Sequence, residues 1–184
     1  MSLLLHLYLI HFIADYPLQP NRLVELKKKS YGGVFLHCLI HLLTLIILLM
    51  PFLDLIEVWI GIAIIFATHN IIDQTKVWLD KKYPSKDTFL YFADQTAHLT
   101  ILTGVAFYIG KVFLPDAWAF FANYYQDTSF VLYFLMIVLA TYFYDVTRYF
   151  ILRHKHPGPY SRDYRTMFLN VFIVSLGFVI YWVF

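Results

Sequence analysis

The sequence is poor in cysteine and in charge. Cys38 is the single cysteine among 184 residues, which excludes an internal disulfide and a cysteine-rich metal site. Charged residues make up only 14% of the chain, and the net charge is +2. The chain as a whole therefore offers no electrostatic footprint for nucleic acid.

Apolar side chains are abundant instead. Hydrophobic residues make up 60% of the sequence and aromatic residues 20%. A soluble domain of this size cannot bury so much apolar surface, because a small globule has too much exterior. The four Trp lie at or near the ends of apolar runs, as interfacial anchors do. The composition therefore predicts an integral membrane protein.

The apolar runs predict an all-α, polytopic transmembrane helical bundle of about six helices, forming one integral membrane domain over residues 1–184. The predicted spans are 3–16, 34–53, 58–79, 88–114, 130–152 and 167–184. The first run is short for a span, so we expect tilt or local thinning of the bilayer. It lacks a signal peptide's basic region and cleavage site, and we expect a retained helix. Residues 116–125 are predicted to lie at the interface.

The loops between the predicted spans alternate in charge. The first, third and fifth loops are basic, with Arg22, Lys27, Lys28, Lys29, Lys81, Lys82, Lys86, Arg153, Lys155, Arg162 and Arg165. The second and fourth are mainly acidic, with Asp54, Glu57, Asp116 and Asp127. Because cytoplasmic loops collect Lys and Arg, this pattern predicts that both termini face outside.

Four pairs of polar residues share one spacing within the apolar runs. The pairs are His11 with Asp15, His37 with His41, His69 with Asp73, and Asp94 with His98. An i,i+4 spacing places two side chains on one helix face, one turn apart. Two such side chains can share a metal ion, as they do in helical zinc motifs.

The predicted topology places all four pairs within about two helical turns of the cytoplasmic interface. A helical bundle can then bring them together in its interior, in a metal-site half at about residues 1–110, with helices five and six at about 130–184. Nitrogen and oxygen donors predict a divalent metal such as Zn, Mn or Fe. Eight candidates leave one ion or two open.

A simpler interpretation stands beside the metal hypothesis. A lone histidine on an apolar helix is more often a hydrogen-bonded core residue, and His6, with no partner at i±4, keeps that interpretation. His154 and His156 lie in a basic loop and are expected to be solvated. Ionisable groups inside a membrane are costly and usually functional, which favours metal binding for the four pairs. A purely structural hydrogen-bond network remains the alternative.

Several polar residues are candidates for catalysis. Lys76 follows Asp73 by three residues and would stabilise developing negative charge, unless it is a snorkelling interfacial lysine. Gln95 lies beside the pairs and is a candidate for contacting substrate. A carboxylate that is not bound to metal would serve as general base.

Asp145 and Arg148 are the catalytic candidates in the fifth predicted span, and Arg148, like Lys76, would stabilise developing negative charge. They lie at i,i+3 near its cytoplasmic end, where they either pair with each other or contribute to an anion-binding rim. The rim would also contain the loop arginines Arg153, Arg162 and Arg165. The positive-inside pattern alone also explains these loop arginines.

The motif series resembles an uncharacterised bacterial domain-of-unknown-function family of small polytopic membrane proteins. The series reads His11-x3-Asp15-x2-Leu18-Gln19, His37-x3-His41, His69-Asn70-x2-Asp73-x2-Lys76 and Asp94-Gln95-x2-His98. The resemblance covers roughly the first 100 residues. A more distant likeness, to the YdjM-like membrane-bound metal-dependent hydrolases, implies a metal site and hydrolysis.

A third likeness is local. The stretch from His69 to Asp73 also looks like one motif of the ZIP metal transporters, whose His-Glu-rich partner motif is absent from this sequence.

The leading expectation is a metal-dependent hydrolase that acts on a lipid or lipid-phosphate at the cytoplasmic leaflet of a bacterial inner membrane. The alternatives are a metal-ion transporter or sensor, a di-iron membrane oxidoreductase, and a purely structural protein or adaptor. A transporter predicts ligands at several depths, whereas the four pairs share one depth. The lipid bilayer is the expected partner, nucleic acid is not, and the oligomeric state stays open.

Overall fold

The computed structural model describes residues 3–113, 115–121, 127–153, 158 and 160–183. Seven longer helices are described, and they confirm the all-helical prediction. They are α1 (Leu4–Asp15), α2 (Asn21–Lys29), α3 (Tyr31–Leu48), α4 (Ile56–Lys82), α5 (Asp87–Ile109), α6 (Thr128–Leu152) and α7 (Tyr164–Val183). Short 3-10 turns occupy Met50–Phe52, Pro84–Lys86 and Asp116–Phe121.

Four of these helices, namely α3, α4, α6 and α7, are long and apolar enough to cross a membrane. Helix α1 is apolar but has only 12 residues, so it is about 18 Å long against a hydrocarbon core of about 30 Å. Helix α5 has 23 residues but is less apolar, because its first half carries Asp94, Gln95 and His98. The length and composition of the four apolar helices are those of membrane-spanning helices.

Helix α2 was not predicted, because its basic sequence was interpreted as a loop. It follows Pro20, which is its N-cap residue, and buries Leu23. Leu, Glu and Lys are good helix formers, which explains why nine residues suffice when the helix packs against α3. Helix α3 begins at Tyr31 because the Ser30 hydroxyl accepts a hydrogen bond of 3.1 Å from the Gly33 amide.

Part of two sequence-based predictions falls outside the described residues. The predicted interfacial segment 116–125 begins with the 3-10 turn Asp116–Phe121, and its remaining residues lie outside that description. The same holds for His154 and His156, which were predicted to be solvated.

Helices α1, α3, α4 and α5 pack into a bundle with an apolar core at one end. Buried members of that core include Leu7, Leu45, Phe52, Ile62 and Leu102. Helices α4 and α5 approach closely at Gly61, where a Cβ atom would lie 2.9 Å from side-chain carbons of α5. The i,i+4 pairs occupy the other end of the same four helices, which places them together.

Helix α6 packs against α1, and α7 packs against α6. Phe12 and Tyr16 of α1 form a second apolar cluster with Leu135 and Val138 of α6. Residues Leu139–Phe143 form a π-helical turn within α6, and the Asn170 side-chain amide of α7 donates to the carbonyl of Ala140 there, at 2.5 Å. Most apolar side chains of α7 are exposed, as expected for a lipid-facing helix.

Helices α2 and α3 approach closely at Gly33, where a Cβ atom would overlap the backbone carbonyl of Leu26. We expect Gly33→Ala to lower the free energy of unfolding by about 1–3 kcal/mol, because one helix must shift. Gly32→Ala is the matched control, since among the described residues, apart from its chain neighbours and the backbone of its own helix, the nearest atom to its added Cβ is Ser30 Oγ at 3.9 Å. The control should be neutral or slightly stabilising, because alanine favours helix.

Thermal unfolding of both variants in detergent measures the difference. Equal unfolding temperatures for Gly33→Ala and Gly32→Ala would contradict the close approach.

Candidate metal centre

All eight side chains of the four i,i+4 pairs meet at one end of the bundle. They come from α1, α3, α4 and α5, and each is buried. The five imidazoles are at most 3% exposed and the three carboxylates at most 8%. Their burial matters because an ionised carboxylate away from water is costly unless cations or hydrogen bonds compensate it.

Four of the eight form a group that we name the imidazole subsite: Asp15, His37, His41 and His69. One ligand atom from each lies within 4.8 Å of the others. Asp15 Oδ1 is 3.1 Å from His37 Nε2, 2.8 Å from His41 Nε2 and 4.0 Å from His69 Nε2. The Nε2 atoms of His37 and His69 are 3.3 Å apart.

Three further residues form the carboxylate subsite: Asp73, Asp94 and His98. His98 Nε2 lies 3.6 Å from Asp73 Oδ1 and 3.5 Å from Asp94 Oδ1. His11 lies between the subsites, with its Nε2 atom 3.5 Å from Asp15 Oδ2 and its ring centroid 5.1 Å from that of His98.

Asp73 also connects the two subsites. Its Oδ1 faces His98, whereas its Oδ2 lies 3.4 Å from His37 Nε2 and 3.6 Å from His69 Nε2. The buried Cys38, one residue after His37, belongs to a third group of potential ligands with His69 and Asp73. A cysteine-rich site stays excluded, but a single thiol does lie beside the cluster.

The spacing of the donor atoms fits a divalent ion. With bonds of about 2.0–2.2 Å, the ligands of a tetrahedral ion lie about 3.3–3.6 Å apart. The separations from Asp15 Oδ1 to the three imidazoles, and from His37 to His69, run from 2.8 to 4.0 Å and bracket that range. For these atoms, a contraction or expansion of about half an ångström would accommodate an ion.

Unsatisfied polar atoms also favour an ion. Among the described residues, His11 Nε2, His98 Nε2 and Asp94 Oδ1 are buried with no hydrogen-bond partner. Most buried polar atoms in proteins are hydrogen-bonded, and each exception needs an explanation. The two imidazole nitrogens lie only 3.5 Å from Asp15 Oδ2 and Asp94 Oδ1, so a small contraction of the cluster around an ion would supply one.

Lys27 is part of the cluster, although sequence reasoning did not single it out. Its Nζ lies 2.8 Å from Asp73 Oδ2, and its side chain is only 16% exposed. Burial acts to lower the pKa of Lys27, but the Asp73 carboxylate, and then Asp15, outweigh burial and raise it. The sequence does contain a pattern that could have identified Lys27: it follows the buried Leu23 by four residues, so both lie on the inward face of α2.

Gln95 holds two of the carboxylates in place. Its side-chain amide nitrogen donates to Asp15 Oδ2 and to Asp94 Oδ2, each at 3.2 Å. Its carbonyl oxygen accepts a hydrogen bond of 3.2 Å from the Tyr16 hydroxyl. With both ends of the amide engaged, Gln95 is a positioning residue for the cluster.

The hydrogen bonds continue from Gln95 toward α6. The hydroxyls of Tyr16 and Tyr91 are 2.9 Å apart, and that of Tyr91 is 3.0 Å from Thr147 Oγ1. Neither tyrosine was a sequence-based candidate, because tyrosine is frequent in this chain and neither belongs to an i,i+4 pair.

Lys76, predicted to assist catalysis, has a partner outside the cluster. Its Nζ lies 2.8 Å from Asp80 Oδ2, one turn along α4. The cation that the structure brings to the cluster is Lys27, on a different helix.

Asp145 and Arg148 do not pair with each other. Asp145 accepts a hydrogen bond of 2.7 Å from the Tyr160 hydroxyl, and Arg148 Nη1 lies 3.2 Å from Asp163 Oδ2. The amide and hydroxyl of Thr166, with Arg148, lower the pKa of Asp163 below its ordinary value. No group of potential metal ligands among the described residues includes Asp145.

Two arginines of the predicted anion-binding rim have partners within the chain. Arg153 Nη1 lies 2.6 Å from Asp87 Oδ2, and Arg162 Nη2 donates to the backbone carbonyls of Tyr16 and Gln19. These contacts join α5 to the end of α6, and the segment before α7 to the end of α1.

A family model described as Protein of unknown function (DUF3307) matches residues 3–126. The chain belongs to this family. All eight cluster residues and Lys27 lie within the matched region, which extends beyond the first 100 residues on which the motif resemblance was based. The predicted resemblance to an uncharacterised family is thus confirmed. No curated protein and no solved structure matches the chain.

We expect Gln95→Leu to lower the free energy of unfolding by about 1–3 kcal/mol, because the substitution removes hydrogen bonds to two buried carboxylates. Thr96→Ala, at the neighbouring exposed position, is the matched control and should change stability much less. Thermal unfolding in detergent, without added metal, measures both. A Gln95→Leu variant as stable as Thr96→Ala would show that the amide does not support the cluster.

Proposed function

We propose that this protein is a membrane-embedded hydrolase that depends on a divalent metal ion. We further propose that it acts on a lipid or lipid-phosphate at the cytoplasmic leaflet of a bacterial inner membrane. The observation that carries the proposal is the meeting of five imidazoles and three carboxylates from four helices, with unsatisfied donor atoms, in the interior of an apolar chain.

In this proposal the metal ligands come from the eight paired residues, with Zn, Mn or Fe as the ion. When bound, the ion would polarise a substrate oxygen and lower the pKa of a coordinated water. A carboxylate left free of metal would accept a proton from that water. Gln95 orients two carboxylates through hydrogen bonds. Lys27 places a positive charge beside the cluster, where it would attract an anionic group of the substrate.

A lipid substrate is supported by an apolar groove along α6, with a volume of about 580 Å³. Its lining residues are Met136, Leu139, Ala140, Phe143, Tyr144, Thr147, Arg148, Ile151 and Leu152. Thr147 is also the last member of the hydrogen-bonded series that leads through Tyr91 and Tyr16 to Gln95. A lipid in this groove would therefore lie next to the series of hydrogen-bonded side chains that leads to the cluster.

The orientation of the site is also part of the proposal. If α1 and α5 cross the bilayer together with the four more apolar helices, the chain has six spans and both termini lie outside. The basic loops then face the cytoplasm. Under this topology the cluster lies near the cytoplasmic leaflet, within reach of lipid headgroups and water.

A fixed site is favoured over a transport path. The three groups of potential metal ligands among the described residues belong to one cluster, and the other end of the same four helices is an apolar core. A path would need ligands at several depths. A di-iron oxidoreductase has a similar ligand set, and an iron-specific optical spectrum of the purified protein would favour it.

The metal assignment predicts a defined loss in variants. Protein purified in detergent should contain a divalent metal, and His41→Ala and Asp15→Asn should lose most of it, because both residues belong to the imidazole subsite. His6→Ala is the matched control, a buried histidine of α1 that belongs to none of the ligand groups. Elemental analysis of gel-filtered protein measures the content. Equal metal in all four proteins would overturn the assignment.

The activity is tested in vesicles of anionic phospholipid and phosphatidic acid. We expect reconstituted protein to release phosphate or fatty acid, a chelator to abolish the release, and one added divalent metal to restore it. Asp15→Asn should stay at background, and Gln95→Leu should lose about 10–100-fold, as expected when a residue that orients ligands is removed. Release that persists with the chelator would contradict metal dependence.

A further inference from the structure

We infer that the cluster holds one divalent ion, in the imidazole subsite, and that the Lys27 ammonium takes the place of a second ion beside Asp73. The inference deepens the proposed function and rests on its metal centre. It sets the number of ions, which the ligand count alone leaves at one or two.

The net charge of the buried cluster suits one divalent ion. Asp15, Asp73 and Asp94 carry three negative charges, and Lys27 contributes one positive charge. Counted with neutral imidazoles, the cluster has a net charge of −2. One divalent ion brings the cluster to zero, whereas two leave a net charge of +2 away from water, which is unfavourable.

Neighbouring charges do not alter this sum. Lys76 is paired with Asp80, and Arg153 is paired with Asp87, so each pair is neutral in itself.

The Lys27 ammonium also occupies the place that a bridging ion would need. Lys27 Nζ lies 2.8 Å from Asp73 Oδ2, the oxygen that also faces His37 and His69. An ion bridging the subsites through Asp73 would have to displace the ammonium from this oxygen. The tight contact between Leu26 and Gly33 holds α2 against α3, which fixes the residue next to Lys27.

The two subsites also differ in the donors that they offer. The imidazole subsite offers three imidazoles and one carboxylate within 4.8 Å, the full set for a tetrahedral ion. The carboxylate subsite offers one imidazole and two carboxylates, and Lys27 already occupies one of those carboxylates. The two subsites are therefore unequal, and the imidazole subsite is the stronger.

The test starts with the unmodified protein in detergent, loaded with Mn²⁺ alone and then desalted. We expect about one ion per chain and an electron paramagnetic resonance spectrum of an isolated ion. Two ions per chain with an exchange-coupled spectrum would overturn the inference and leave the proposed metal centre intact. No bound ion, with Mn²⁺ or with Zn²⁺, would overturn the metal centre itself.

Lys27→Met tests the position of the ammonium with a side chain of similar length and no charge. We expect it to bind a second ion, raising the content from about one to about two per chain, because Asp73 Oδ2 is then no longer paired with the ammonium and can bind a metal ion. Lys28→Met is the matched control, since Lys28 is exposed and pairs with Glu25, and it should stay at one.

A double variant tests where the second ion binds. Lys27→Met with Asp94→Asn removes one carboxylate of the carboxylate subsite, so it should return to one ion per chain. A single ion in both Lys27→Met and the unmodified protein would overturn the inference. Should Lys27→Met fail to fold, the spectrum of the Mn²⁺-loaded unmodified protein still decides between one ion and two.

Discussion

The burial of three carboxylates inside an apolar helical bundle is the constraint on which the rest of this structure depends. Asp15, Asp73 and Asp94 come from three different helices, and each is almost inaccessible. Negative charge in such an environment is unfavourable unless cations and hydrogen bonds compensate it. The surrounding imidazoles, Gln95 and Lys27 compensate part of this negative charge, and a divalent ion would compensate the rest.

The same four helices separate apolar packing from polar chemistry along their length. At one end, Leu and Ile side chains interlock, and Gly61 allows α4 and α5 to approach closely. At the other end the polar pairs face one another, and α2 adds Lys27, the least exposed of its three lysines. The apolar end fixes the positions of the helices, so the donor atoms at the polar end are held at ligand spacing. Helix α6 packs against α1 and α5 of this bundle, and α7 packs against α6 with most of its apolar side chains exposed.

Sequence reasoning predicted much of the fold, since each predicted span overlaps one of the longer helices. It missed α2, because a short helix of Leu, Glu and Lys has the composition of a basic loop. It also favoured Lys76 over Lys27, because Lys76 is close to Asp73 in sequence. In the structure Lys76 pairs with Asp80, one helical turn further along α4, and Lys27 contacts Asp73 from another helix.

The sequence by itself determined which side chains share a helix face, because the i,i+4 spacing follows from the helical repeat and needs no tertiary contact. It also determined the donor types, and with them the classes of metal that fit. Only the tertiary structure decided which pairs meet, that Asp73 connects both subsites, and that Gln95 and Lys27 complete the cluster. The reason is physical: helical periodicity is local, whereas the rotation and depth of each helix depend on packing against all the others.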